Sequence, residues 1–163
     1  MPLTTQEVEA LKKITSPSVA NAIETFKVRP REHGNVSSAI RALFRLGVEQ
    51  MSQGAAPSAI ETFTTIIQKK PDFAEGWNKR ATIYYLVGEY EKSLRDCDEV
   101  VKRNPQHWGV LAGYGQIYLA LDKPELALDY FQRALKVNPN LQRVEAAVAE
   151  LKRLIIEKRK GTI

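Results

Sequence analysis

Pro71, Pro105 and Pro139 recur at intervals of 34 residues (105 − 71 and 139 − 105). Each follows a basic or polar residue: Lys70, Asn104 and Asn138. Proline has no N–H to donate and pushes the residue before it out of the helical region, so a proline on this period ends a helix once per unit. A self-similar period in this range restricts a chain to an array of small supersecondary units. No unit can bury its apolar face alone, and each must stack on its neighbours.

Three units, 40–73, 74–107 and 108–141, align without gaps. The fourth residue is large and apolar: Leu43, Trp77, Leu111. The eighth and twentieth are small: Gly47, Ala81, Gly115 and Ala59, Ser93, Ala127. The eleventh is Gln50, Tyr84, Tyr118, the twenty-fourth Phe63, Cys97, Phe131, and the twenty-seventh Ile66, Val100, Ala134. The small positions let two helix backbones approach, and the bulky ones, Trp77 among them, fill the space beside that contact. The fifteenth, Gly54, Gly88 and Asp122, falls where the chain turns between helices. A turn leaving a helix with φ > 0 suits glycine.

A 34-residue unit with these residues resembles the tetratricopeptide repeat. The departures are Gln50 for an aromatic, Cys97 for phenylalanine and Asp122 for glycine. The expected fold is all-α: a right-handed α-solenoid of three helix-turn-helix repeats with an N-terminal helical hairpin and a C-terminal capping helix. First helices are expected over about 37–53, 74–87 and 108–121, and second helices over about 57–69, 90–103 and 124–137. Pro57 and Pro124 fall in first turns, where a missing N–H costs little. Residues 141–159 carry Val144, Ala147, Val148, Leu151, Leu154 and Ile155 at helical spacing, with a charged opposite face, as a terminal cap requires. The domain division that follows is an extension over 1–34 and a repeat domain over 35–163.

In the extension, Thr4-Thr5-Gln6-Glu7 is a capping box that starts a short helix to about Lys13. Ser16-Pro17 opens a second, to about Phe26, with the apolar stripe Val19, Ala22, Ile23 and Phe26. This hairpin is expected to cap or fold across the first repeat. The stretch from Leu3 to Gly34 is also similar to the N-terminus of the aldolase-like family that includes the regulator of ribonuclease activity. That family's glycine-rich segment and later Arg-Asp pair have no counterpart here, so no catalytic residue carries over.

The rest of the composition excludes more than it specifies. The single cysteine, Cys97, cannot form an intramolecular disulfide, which fits a reducing cytoplasm. Its register places it in the core, where thiols are inert. Charged residues interrupt the N-terminal stretch, so no signal peptide is expected, and no apolar run reaches the length of a membrane span. The net charge of +5 gathers in Lys152, Arg153, Lys158, Arg159 and Lys160. Basic residues in a last turn complement the helix dipole, and without interleaved aromatics they do not indicate nucleic acid. His33 and His107 are far apart in loops, and Gly113-Tyr114-Gly115 fits the packing pattern of a helix, not a phosphate loop. No enzyme, metal or cofactor is expected.

The tetratricopeptide resemblance implies that first helices line a concave groove for a peptide or helix. The second, fifth, ninth and twelfth residues of each unit would face it: Arg41, Phe44, Val48 and Met51; Glu75, Asn78, Thr82 and Tyr85; Gly109, Ala112, Gln116 and Leu119. Asn78, Thr82 and Gln116 offer hydrogen bonds, while Phe44, Met51, Tyr85 and Leu119 offer the contacts that dominate interface energetics. Family members that grip the C-terminal carboxylate of heat-shock chaperones place Lys, Arg and Asn in this groove. Here Phe44, Val48, Gln116 and Gly113 stand in those places and only Asn78 remains, so an apolar or amphipathic segment is the expected ligand. The alternatives are a groove that is partly core or is covered by Val19, Ile23 and Phe26, self-association through the N-terminal helices, and an enzyme remnant or regulator.

Overall fold

The computed structural model describes residues 2–15 and 36–161, and every regular element among them is a helix. In order these are α1 (Thr5–Thr15), α2 (Ser38–Ser52), α3 (Ala56–Lys69), α4 (Ala74–Leu86), α5 (Tyr90–Arg103), α6 (Trp108–Ala120), α7 (Pro124–Val137) and α8 (Gln142–Lys160). The second helix expected before Phe26, with the Val19, Ile23 and Phe26 stripe, and His33 lie outside the described residues.

Local chemistry sets the helix ends. The Thr4 N–H donates to Glu7 Oε2 at 2.7 Å and the Glu7 N–H donates to Thr4 Oγ1 at 3.2 Å, a closed capping box. Ser37 Oγ caps α2 by accepting from the Ile40 N–H. His107 Nδ1 does the same for Val110 at 3.1 Å, so this histidine has a structural use at the start of α6. The intra-unit turns have φ +73° at Gly54, +81° at Gly88 and +57° at Asp122. The first two positions need glycine for that reason, and Asp122 adopts the same conformation despite its side chain.

Two compact units emerge, one of residues 17–99 and one of residues 1–16 with 100–163. In the first, α2, α3 and α4 pack in sequence. A Cβ on Gly47 would stand 2.7 Å from the Phe63 ring, so the glycine admits the phenylalanine of the next helix. Phe44 meets Phe63 and Phe73 edge-on, at 5.6 and 5.9 Å between centroids, in a core with Val36, Ile40, Ala59, Ile66 and Ile83.

In the other unit the same interlock recurs. A Cβ on Gly115 would stand 2.5 Å from Phe131. Phe131 lies in a core with Leu119, Ala127, Val144, Val148, Leu151 and Leu154, completed by Leu3 and Leu11 of the N-terminal segment. The middle repeat replaces the glycine–phenylalanine combination by Ala81 and Cys97, both buried: a larger residue at one position accompanies a smaller one at the other. Burial pushes the Cys97 thiol up to about 12, with Asp96 and Asp98 adding to the effect, which keeps it protonated at neutral pH.

The eleventh and twenty-third residues in the first repeat, and the seventh with them in the other two, join a first helix to its second helix, with different chemistry each time. In the first repeat Thr62 donates to Gln50 Oε1 at 2.7 Å, which accounts for a glutamine at an aromatic position. In the second, Arg80 makes two 2.8 Å hydrogen bonds to Asp96 and a third to Thr64, beside the Trp77 and Tyr84 rings. In the third, Tyr114, Tyr118 and Tyr130 stack, the closest pair 4.6 Å apart.

Trp77 departs from the core position expected of it. It is half-buried and donates Nε1–H to the Pro71 carbonyl at 2.9 Å. A polar tip with a partner outside the core lets an indole sit at the boundary, where Arg80 covers one side.

Candidate interaction surface

In the unit of residues 17–99, α2 and α4 carry eight of the residues implied to face a groove. On α2 they fall at Arg41, Phe44, Val48 and Met51, beside Gly47 and Gln50, which meet Phe63 and Thr62 of α3. Arg41 is exposed, Val48 and Met51 are half-buried against the core, and Phe44 is a core residue. On α4, Glu75, Thr82 and Tyr85 are half-buried and Asn78 is 8% exposed. Asn78 Nδ2 lies 3.4 Å from Glu75 Oε2, its carbonyl accepts from Thr82 Oγ1, and Tyr85 leans on Tyr90 at 5.9 Å. Lys79, next to Asn78, is 2% exposed, and burial lowers its ammonium to about 7 against the pull of Glu75.

In the other unit Ala112, Gln116 and Leu119 follow one another along α6. Leu119 is 1% exposed within the core and Ala112 packs against that core, while Gln116 and Gly109 are half-buried. Here α1 packs against α6 and α8, with Leu3 and Leu11 fully in the cluster and Val8 at its edge. The N-terminal segment was expected across the first repeat; its described helix lies instead on the first helix of the third repeat and on the closing helix. The reason is complementarity. The apolar edge of α8, Val144, Val148, Leu151 and Leu154, needs a cover, and the N-terminal segment supplies Leu3 ahead of α1 and Leu11 within it.

Two polar contacts hold α1 in register. The Leu3 N–H donates to Asp122 Oδ1 at 3.2 Å, and Lys158 Nζ stands 3.1 Å from Glu7 Oε2. The Thr4 backbone, and then Lys158, hold the Glu7 carboxyl below its usual range. These partners were not legible beforehand, although the aspartate at a glycine position was a visible departure. Within the basic C-terminal tail, Arg153 grips Glu150 and Glu157 of its own helix at 2.6 Å each, and Lys158 reaches Glu7. Among the described residues, no group of three or more His, Cys, Asp or Glu gathers as metal ligands, and no helix is long and apolar enough to cross a membrane.

The tetratricopeptide repeat sequence model matches residues 74–107 and 115–141. A TPR repeat-containing protein of Rhizobium etli is 30% identical over 129 residues, which are 79% of this chain and 63% of that one. The chain therefore spans less than two thirds of that relative's length. Among solved structures, the Sgt2 TPR domain of Aspergillus fumigatus superposes with a TM-score of 0.71 at 18% identity, covering 78% of this chain and 85% of that one. The first TPR of Spaghetti (RPAP3), bound to the HSP90 peptide SRMEEVD, gives 0.68 at 21% identity, covering 72% and 93%.

Proposed function

Because the chain belongs to the tetratricopeptide repeat family, we propose that it is a non-enzymatic protein-interaction scaffold of the cytoplasm, taking a peptide or helix of a partner protein on the inner faces of its first helices. The observation that carries this reading is the composition of the stripe on α2 and α4. Val48, Met51 and Tyr85 are half-buried apolar or aromatic groups, and the polar Arg41, Glu75 and Thr82 stand on the same two helices. Apolar anchors inside a polar rim are the anatomy of a recognition surface.

The chemistry favours an apolar or amphipathic segment over the acidic chaperone tail held by the RPAP3 repeat. Phe44 and Val48 occupy positions where a carboxylate grip needs polar side chains, and Phe44 is built into the core. An acidic terminus would find one positive group on this stripe, Arg41.

Selection of peptides from a displayed library against the purified chain, followed by amide shift mapping, tests the reading. Affinities in the micromolar range correspond to about −8 kcal/mol. Perturbations centred on Arg41, Val48, Met51, Thr82 and Tyr85, with binding weakened by Tyr85→Ala, support it. Perturbations confined to α3 and α5 would place recognition on the second helices and sink it.

A further inference from the structure

The contact of α1 with α6 and α8 has the form of a ligand complex made within one chain. An eleven-residue helix is marginal in water without tertiary support. This one supplies the buried Leu11 and the Glu7 carboxylate to Lys158, and the residues just ahead of it supply the buried Leu3 and its main-chain N–H to Asp122. It shares a core with Leu119 and Ala112 of α6, two of the residues that the repeat resemblance implies for a groove. Glu7 and Lys158 are partly solvated, with side-chain exposures of 27% and 17%, so the polar end of the contact is open to water.

We propose that α1 is a displaceable strap, and that the α6–α8 surface under it is a second binding site, specific for an amphipathic partner helix of the same chemistry. Such a partner would carry one leucine just ahead of its helix and a second eight residues on within it, as Leu3 and Leu11 are, and an acidic residue between them to meet Lys158. A main-chain N–H ahead of its first turn would meet Asp122. The occupant is defined by the strap itself, because every group that receives α1 would receive its replacement. This rests on the reading that first-helix inner faces take up helices, and it adds a site closed until α1 leaves.

Two measurements on the full chain test it. Hydrogen exchange of the wild-type protein should show α1 amides exchanging through a local opening, while Leu119 in α6 and Leu151 in α8 stay protected to the global limit. Equal protection of all three helices would mean that α1 opens only with the whole fold, and would overturn the proposal. A labelled synthetic peptide of residues 2–15 should bind Leu11→Asp, whose strap cannot dock, at least about tenfold more tightly than wild type, since only the open fraction of wild type is competent. Glu7→Lys, which breaks the Lys158 pair, should fall between the two. Equal binding by all three, or no binding by a Leu11→Asp protein whose α6 and α8 remain protected, would overturn the proposal. If Leu11→Asp does not fold, wild-type exchange and the Glu7→Lys comparison decide. The exchange result stands whether or not a partner is found on α2 and α4, so the two readings fail separately.

Discussion

Asp122 Oδ1 accepts the Leu3 N–H at 3.2 Å across 119 residues of sequence, from a residue whose own φ is +57°. The equivalent turns use glycine at this conformation. The aspartate therefore bears a left-handed backbone, worth about 1–2 kcal/mol for an L-residue, while anchoring the chain's beginning. Asp122→Gly removes strain and anchor together; Asp122→Ala removes only the anchor. Urea unfolding should rank Asp122→Ala below Asp122→Gly by about 1 kcal/mol, with faster α1 exchange in both. An alanine variant as stable as the glycine variant would contradict the role given to this turn.

Two glycines on α6 should respond oppositely to one methyl group. A Cβ on Gly115 would lie 2.5 Å from the Phe131 ring, and one on Gly113 would meet nothing within 4 Å. Gly115→Ala is expected to lower stability by about 1–3 kcal/mol through overpacking. Gly113→Ala should raise it by up to about 1 kcal/mol through helix propensity. Chemical melts of the two variants beside wild type check both signs, and a stabilised Gly115→Ala would refute the interlock.

The Arg80–Asp96 pair is bidentate and largely buried, with side-chain exposures of 16% and 5%. Removing one partner leaves the other charge without compensation, so Asp96→Ala should cost about 3–5 kcal/mol. The double variant Arg80→Met, Asp96→Leu should recover much of that loss, because an apolar pair has no charge to desolvate. A double variant no more stable than Asp96→Ala would show that geometry, not the unpaired charge, dominates.

Acid should loosen α1 before the rest of its unit. The folded Glu7 carboxyl titrates below its ordinary 4.5, chiefly because it accepts the Thr4 N–H. A depressed acid pKa stabilises the fold above the unfolded value, and that contribution is lost as pH falls through the folded value. Exchange of α1 amides should therefore accelerate below about pH 4.5 beyond the intrinsic rate, and Glu7→Gln should flatten the dependence while keeping a capping side chain. A pH profile identical in Glu7→Gln would assign the loosening to another group.

The 34-residue period, the small and large alternation at Gly47 with Phe63 and Gly115 with Phe131, and the prolines in first turns were enough to deduce helix order and pairing, because each reflects local helix geometry or a contact between adjacent helices. The first repeat keeps this interlock although Gln50 departs from the pattern, and the hydrogen bond from Thr62 supplies the reason. Which residues recur at the same place in each repeat was also deducible; what each of them meets was not. Phe44 enters the core because Phe63 and Phe73 close on it, Trp77 stays at the boundary because Pro71 offers its carbonyl, and Leu119 is covered because α1 returns from the far end of the chain. Periodicity speaks for neighbours in sequence. A helix that docks more than a hundred residues away leaves only single marks, such as an aspartate where glycine belongs, and tertiary packing decides whether an apolar stripe is groove or core.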